Sequence, residues 1–208
     1  MRIHLMGLVL IAGILLYACA PTPTPEPTAT VPPAQPSPTP CDLAPVIAPT
    51  RAPETPGYAE LDPTTGLHMT GTPAEIDLET YRIEITGKVE RPLSLSYDDL
   101  RCLPKVETHS VLVCPGFFQD EATWAGVPLG EILALAQVHE DATGLRLIGA
   151  DGYSSFVRLQ EIPGDNNILA YEWEGEPLPI LHGFPVRAVF PELNGNRWVK
   201  WLIEIEVE

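Results

Sequence analysis

Positive charge is scarce in this sequence of 208 residues. It has 12 Lys and Arg residues against 28 Asp and Glu residues, which gives a formal net charge of −16 at pH 7. Binding to the phosphates of nucleic acid, or to an anionic lipid surface, requires a basic patch. The composition therefore argues against nucleic acid as a partner and is typical of a soluble extracytoplasmic domain.

Cysteine is also scarce, and its spacing forms no metal-binding pattern. The cysteines are Cys19, Cys41, Cys102 and Cys114, so the sequence holds neither a Cys-x-x-Cys pair nor the Cys-x-x-Cys-His motif of covalent haem. No histidine cluster stands near them, so a metal cage made of protein ligands alone is not predicted. Spacing leaves three interpretations of Cys114: a disulfide with Cys102, a buried inert thiol, or a metal ligand.

The longest apolar run lies at the N-terminus. Residues 5–16 follow Arg2 and His4 and are too few for a comfortable transmembrane helix. Residues 16–19, Leu-Tyr-Ala-Cys, have the form of a lipobox, whose cysteine receives a lipid. We therefore expect a lipoprotein signal over residues 1–19, lipidation of Cys19, and an extracytoplasmic domain anchored to a bacterial membrane. An ordinary secretory leader is the alternative.

Large apolar residues are nearly absent from residues 20–56, which hold more than half of the 24 prolines. Such a segment cannot bury enough surface to offset the entropy lost on ordering. Its Thr-Pro alternation favours extended polyproline II. The sequence therefore predicts a disordered tether over residues 20–56 that has nothing to pack, followed by one folded domain over residues 57–208.

The patterns of the remaining residues mix strands with a few short helices. Ser96 followed by Asp99 is a capping-box-like helix start, and residues 128–136 carry one apolar face. Strands are predicted over residues 81–89, 110–114, 145–149, 153–159, 168–173, 185–190 and 198–207, the last with Val199, Trp201, Ile203, Ile205 and Val207 on one face. This mixture predicts the α+β class.

Residues 108–129 hold the most distinctive local pattern. An apolar strand delivers Cys114 to Pro115-Gly116, which predicts a turn, and strand ends are common places for sites. Residues 124–129, Trp-Ala-Gly-Val-Pro-Leu, are predicted to form a turn that feeds a helix, with proline near the first helical position.

Cations are concentrated near the C-terminus. Arg187, Arg197 and Lys200 lie close together in the sequence, and His182 precedes them. A basic cluster in an acidic protein predicts an anion site. The alternative is a set of surface ion pairs with Glu192, Glu204 and Glu206.

Three stretches, in this order, resemble the molybdopterin-binding domain of the sulfite oxidase family. The first is Cys114-x-Gly116 followed by residues 124–129, and the second is Asp-Gly-Tyr-Ser-Ser at residues 151–155. The third combines His-Gly-Phe-Pro-Val-Arg at residues 182–187 with Arg-Trp-Val-Lys-Trp-Leu at residues 197–202. The resemblance runs from about Thr70 to the C-terminus and implies the mixed-sheet fold of that family.

The resemblance also implies a cofactor, molybdopterin with molybdenum, and the residues that hold it. Cys114 matches the cysteine whose thiolate binds molybdenum, and the pterin dithiolene supplies the remaining soft ligands. Tyr153 matches a tyrosine that points at the oxo face of the metal and donates a hydrogen bond or a proton. The residues that match contacts to the pterin and its phosphate are His182, Arg187, Trp198, Val199 and Lys200.

By the same resemblance, the chain is a molybdenum-dependent oxidoreductase that transfers an oxygen atom to or from a small substrate, such as sulfite or a sulfoxide. Its electrons would pass through a separate partner. Residues 66–73, Gly-Leu-His-Met-Thr-Gly-Thr-Pro, replace the Arg-Asn-His run typical of the family, and His68 is the candidate substitute. A cofactor-free binding module that keeps the fold is therefore the alternative.

Overall fold

Two five-stranded sheets and two short α-helices make up the part of the chain that the computed structural model describes, residues 41–208. The elements in chain order are β1 (Ile83–Gly87), β2 (Leu93–Leu95), α1 (Tyr97–Arg101), β3 (Val106–Cys114), β4 (Phe118–Pro128), α2 (Leu129–Ala136), β5 (Gly144–Gly149), β6 (Ser154–Arg158), β7 (Ile168–Trp173), β8 (Glu176–Pro177), β9 (Arg187–Val189) and β10 (Leu202–Val207). Short 3-10 helices span Leu159–Glu161, Ile180–His182 and Gly195–Arg197.

The two sheets differ in their pairing. The first has the order β2-β1-β10-β5-β6, and its β1–β10 pair is parallel while its other pairs are antiparallel. The second has the order β3-β4-β7-β8, with β9 also paired to β7, and all of its pairs are antiparallel. This mixture of sheets and few helices confirms the predicted α+β class.

Local signals set both α-helices. The Ser96 hydroxyl accepts the Asp99 N–H at 3.1 Å, and the Asp99 carboxylate accepts the Ser96 N–H at 2.9 Å, which completes the predicted capping box. Helix α2 starts directly after Pro128 and ends at Ala136, and the next residue, Gln137, caps it in a left-handed conformation with φ of 56°. Its buried residues, Leu129, Ile132 and Ala136, form the predicted apolar face.

Two predictions about the strands are wrong. Residues 124–128, predicted as a turn, are the end of β4, and they lack polar alternation because all five are buried. A Cβ at Gly126 would overlap the carbonyl oxygen of Leu169, so a glycine is needed where β4 pairs with β7 at close approach. The single alternation predicted over residues 198–207 fails because Trp201 has φ of 51° and the β10 register shifts between Leu202 and Glu204.

The segment before the domain is joined to it from Cys41 onward. Cys41 forms a disulfide with Cys102, Arg101 donates from Nη2 to the Ala44 carbonyl oxygen at 2.9 Å, and Val46 packs against the main core. We expected residues 20–56 to have nothing to pack; within residues 41–56, this disulfide, the Ala44 hydrogen bond and the packing of Val46 attach the segment to the domain instead. The predicted signal, Cys19 and residues 20–40 lie outside the described residues. No helix of the described part is long and apolar enough to span a bilayer.

Candidate functional site

A cavity of about 520 Å³ gathers most of the predicted site residues. Those that line it are Cys114, Tyr153, His182, Arg187, Trp198 and Lys200. Val199 does not line the cavity: it is fully buried, and its carbonyl oxygen accepts the Ala188 N–H at 2.9 Å. The cavity wall therefore combines the end of β3, the loop after β5, the start of β9 and the stretch that leads into β10.

Cys114 is the last residue of β3, at the turn that Pro115 and Gly116 predict. The Phe117 N–H donates to the Cys114 carbonyl oxygen at 3.0 Å, which closes the hairpin to β4. The Cys114 thiol is free, because Cys102 is bonded to Cys41 instead, and its side chain is half-buried. Burial, with a smaller contribution from the Asp120 carboxylate, raises the pKa of the Cys114 thiol. A metal that binds this sulfur would have to displace its proton.

Arg187 is a buried cation without a carboxylate partner among residues 41–208. Its Nη1 donates to the His182 carbonyl oxygen at 3.0 Å, and its Cζ lies 4.5 Å from the ring centre of Trp124. Its Nε is buried and has no hydrogen-bond partner. Burial lowers the pKa of Arg187 to about 9. Natural proteins seldom leave such a group unpaired, so a bound anion is the expected partner.

Lys200 is a second buried cation beside the first. Its Nζ donates to the carbonyl oxygens of Leu181, at 2.9 Å, and Thr70, and lies 4.4 Å from the ring centre of Trp201. It forms no ion pair within the described part of the chain. Burial, followed by repulsion from Arg187, lowers the pKa of Lys200 well below its ordinary value. The two side chains thus make a positive pocket inside a strongly acidic protein.

Gly183 allows these two cations to approach each other. Its φ of +115° lies in a region that L side chains rarely adopt, and a Cβ there would sit 3.0 Å from the Arg187 Cβ and 3.3 Å from the Lys200 Cβ. The glycine follows the 3-10 helix that carries His182. The glycine in the sequence His-Gly-x-x-x-Arg is therefore needed for the close packing of Arg187 against Lys200.

His182 and Trp198 complete the inner wall. His182 is 2 % exposed, and its Nε2 lies 3.0 Å from Asp62 Oδ2 and 2.9 Å from Thr65 Oγ1. Burial, followed by repulsion from Lys200, lowers the pKa of His182 to about 4, so its ring is neutral at pH 7. Trp198 donates from Nε1 to the Phe190 carbonyl oxygen at 2.9 Å and packs edge-on against Trp124.

Tyr153 lies at the outer part of the cavity and is 46 % exposed. Its hydroxyl donates to the Asn196 carbonyl oxygen at 2.7 Å, and the Asp151 carboxylate accepts the Tyr153 N–H at 3.0 Å. Burial raises the pKa of Tyr153, so it keeps its phenolic proton at neutral pH. Asp151 acts as the turn former expected of an Asp-Gly pair.

Two carboxylates of the site were not singled out from the sequence. Asp120 lines the cavity and binds His68, with 2.6 Å between Asp120 Oδ1 and His68 Nδ1. The His68 ring stacks on Phe118 at 4.4 Å between centres. Asp62 is buried behind His182. Local pattern gives no signal for either residue, since aspartate in a strand or a turn is usually exposed.

Comparison with known proteins identifies the family of this chain. The family model described as "Oxidoreductase molybdopterin binding domain" matches residues 68–208. The chain belongs to this family. Its members use molybdopterin with molybdenum and are oxidoreductases, so the predicted family, cofactor and enzyme class are confirmed.

The relatives differ in how much of them the chain spans. It is 32% identical over 141 residues to the uncharacterized oxidoreductase YuiH of Bacillus subtilis, covering 67% of this chain and 71% of that protein. It is 36% identical over 163 residues to mitochondrial sulfite oxidase of Macaca fascicularis, covering 64% of this chain and 30% of that protein. It is 31% identical over 170 residues to nitrate reductase [NADH] of Volvox carteri, covering 66% of this chain and 20% of that protein.

Among solved structures, the sulfane dehydrogenase SoxCD from Paracoccus pantotrophus superposes with a TM-score of 0.62 at 25% identity, covering 77% of this chain and 50% of that chain. This match confirms the predicted fold type.

The residues of the cavity fit the family's cofactor. Its phosphate needs cations, and Arg187 and Lys200 are buried cations without a described carboxylate partner. Its molybdenum prefers soft ligands, and Cys114 offers a free sulfur in the same cavity. The buried Nε of Arg187 has a donor to spare. One cavity thus offers basic groups for the phosphate of the cofactor and a soft ligand for its molybdenum.

Proposed function

We propose that this chain is a membrane-tethered extracytoplasmic molybdenum oxidoreductase that transfers an oxygen atom to or from a small substrate such as sulfite or a sulfoxide. The observation that carries the proposal is one cavity holding a free thiol and two buried cations that lack carboxylate partners in the described chain. The relatives named sulfite oxidase, nitrate reductase and sulfane dehydrogenase support the reaction class.

In this proposal Arg187 and Lys200 hold the phosphate of the cofactor through charge-assisted hydrogen bonds, and His182 contacts the pterin side. Trp198 lines the cavity wall, Val199 supports that wall from behind through packing and its backbone carbonyl, and Cys114 would bind molybdenum. When bound, the cofactor supplies two-electron redox chemistry and oxygen-atom transfer. The protein contributes binding, orientation and exclusion of water.

Tyr153 holds a proton at the cavity mouth. Its raised pKa keeps the phenol protonated, so its O–H can donate a hydrogen bond to a substrate oxygen. That bond would replace the present one to the Asn196 carbonyl oxygen. Tyr153 is therefore assigned to substrate orientation or proton delivery, while electrons leave through a separate partner protein.

Substitution of Cys114 tests the proposed chemistry. A hydroxyl does not reproduce the soft thiolate ligand, so Cys114→Ser should abolish turnover of sulfite or sulfoxide. The domain should keep its melting temperature because the side chain is only half-buried. Undiminished turnover in Cys114→Ser, assayed beside the wild type with an artificial electron carrier, would refute the assigned role.

A second experiment tests the membrane anchor. If Cys19 carries a lipid, Cys19→Ser should release the domain from membranes or leave the chain unprocessed. Fractionation of cells that express each form gives the readout. A Cys19→Ser protein found in the membrane fraction at mature size would show that another feature anchors the chain.

The alternative is a cofactor-free binding module, favoured by the absence of the Arg-Asn-His run from residues 66–73. In the structure His68 lines the cavity in that region and is fixed by Asp120. The two functions differ in one measurable property, because a binding module contains neither molybdenum nor pterin when isolated from cells that make the cofactor.

A further inference from the structure

Residues 57–67 precede the part of the chain matched by the family model, yet they reach the inner wall of the cavity. The segment forms a tight turn in which the Thr64 N–H donates to Asp62 Oδ1 at 2.9 Å and the Gly66 N–H donates to the Asp62 carbonyl oxygen at 2.8 Å. This turn places the Asp62 carboxylate, 2 % exposed, against His182.

The hydrogen bonds around Asp62 determine which nitrogen of His182 carries the proton. The Thr65 hydroxyl donates its single proton to Asp62 Oδ2 at 2.9 Å, so its oxygen can only accept from His182. Asp62 Oδ2 is the second neighbour of Nε2, at 3.0 Å, and a carboxylate also only accepts. Both partners of Nε2 are acceptors, and Nε2 must therefore be the protonated nitrogen.

The ionisation of the pair agrees with this arrangement. Burial alone would raise the pKa of Asp62, but hydrogen bonds from the Thr64 N–H and His182 outweigh it and the net pKa is lowered. Asp62 is therefore a carboxylate and His182 a neutral ring at pH 7. In a neutral ring with hydrogen on Nε2, Nδ1 is an acceptor. No described residue hydrogen-bonds Nδ1, so it is the ring atom available to a bound group.

We infer that Asp62 is a positioning residue for the cofactor site: it fixes the orientation and the Nε2–H tautomer of His182, which presents Nδ1 as an acceptor to an N–H or O–H donor of the bound cofactor. This inference rests on the proposed role of His182. Outer carboxylates that orient histidine ligands are known to change affinity at metal sites by about 10-fold or more. The segment before the family-matched region thus completes the site.

Nitrogen-15 NMR of the histidine rings tests the tautomer in cofactor-free protein, so the result does not depend on whether the cofactor is bound. The wild type at pH 7 should show His182 neutral with hydrogen on Nε2, and Asp62→Ala should lose this single tautomer. Asp120→Ala is the matched control, because it removes another buried cavity carboxylate but leaves the partners of His182 in place. A wild-type ring with hydrogen on Nδ1 would overturn the inference without any variant.

Cofactor retention provides the second readout. In protein made by cells that supply molybdopterin, Asp62→Ala should retain the cofactor about 10-fold less well than the wild type. Thr65→Val should retain more cofactor than Asp62→Ala, because the Asp62 carboxylate that holds Nε2 remains. Full retention in Asp62→Ala would overturn the inference, whereas wild-type protein without cofactor but with the Nε2–H tautomer would contradict only the proposed function.

Discussion

At the scale of single residues, the cofactor site is held at a cost to the stability of the cofactor-free domain. Arg187 and Lys200 are buried, and neither has a carboxylate partner among residues 41–208. Desolvation of an unpaired charge is unfavourable, and the carbonyl oxygens and aromatic rings around the two cations offset it only in part. Under the proposed function, the phosphate of the bound cofactor would supply the missing negative charge.

Lys200→Met tests this trade between stability and binding. Because burial lowers the pKa of Lys200, the unfolded chain binds its proton more tightly than the folded chain, and the charge destabilises the fold near neutral pH. The variant should therefore raise the melting temperature of the cofactor-free protein at pH 6 while it loses the cofactor.

The exposed Lys105, paired with Glu172, provides the control for Lys200. Lys105→Met should change stability by no more than about 0.5 kcal/mol and leave cofactor content unchanged. A melting temperature several degrees lower in Lys200→Met would show that the hydrogen bonds of its ammonium group outweigh its desolvation.

His182 should give the domain a measurable acid sensitivity. Its pKa is about 4 in the fold against an ordinary value of 6.5, so between these values the unfolded chain binds a proton that the folded chain does not. The contribution of neutral His182 to the free energy of unfolding is therefore fully present above pH 6.5. It falls by about 2–3 kcal/mol as the pH decreases toward 4. Urea unfolding of the cofactor-free wild type and of His182→Gln at pH 7 and pH 4.5 measures how much unfolding free energy each protein loses on acidification. An equal loss in both proteins would contradict the assignment.

At the scale of elements, the turn after the 3-10 helix Ile180–His182 sets the distance between the two cations. Gly183→Ala should reduce cofactor content, since its methyl group would press on the Cβ atoms of both Arg187 and Lys200. Gly152→Ala is the matched control: Gly152 also has a positive φ, of +82°, but a Cβ there meets nothing within 4 Å. Both variants lose stability through backbone strain, and equal cofactor loss in both would argue against the packing role of Gly183.

Elements with a clear periodic or capping signal were predictable from sequence. Strand β7 has the predicted bounds, and the Ser96–Asp99 capping box forms as expected. The end of β4 was missed because residues 124–128 are buried on both faces and show no alternation. The bend at Trp201 was missed because nothing in its neighbours requires a positive φ.

The site was predictable only in part, for a related reason. The order of motifs indicated Cys114, Tyr153, His182, Arg187, Trp198, Val199 and Lys200, and all of these except Val199 line one cavity. Asp62 and Asp120 could not be found, because their burial arises from contacts with residues distant in sequence. Sequence spacing likewise left open whether Cys102 forms a disulfide, with Cys114 as its candidate partner.

At the scale of the whole molecule, the Cys41–Cys102 disulfide ties the N-terminal segment to the domain across a separation of 61 residues. Closing a loop of this length restricts the unfolded chain and stabilises the fold by about 4 kcal/mol. Cys41→Ala should therefore lower the melting temperature by roughly 10 °C. A reducing agent should have the same effect on the wild type and none on the variant; a wild type insensitive to reduction would show that the bond contributes little.

The central claim is that one cavity of this acidic molecule binds molybdopterin with molybdenum through its buried cations and Cys114. The most direct measurement is the molybdenum and pterin content of the full chain, purified from cells that make the cofactor, beside the same chain with Arg187→Ala. The account predicts stoichiometric molybdenum and pterin in the wild type and a severe loss of both in the folded variant. A wild-type protein that contains neither, or a variant that keeps both in full, would contradict it.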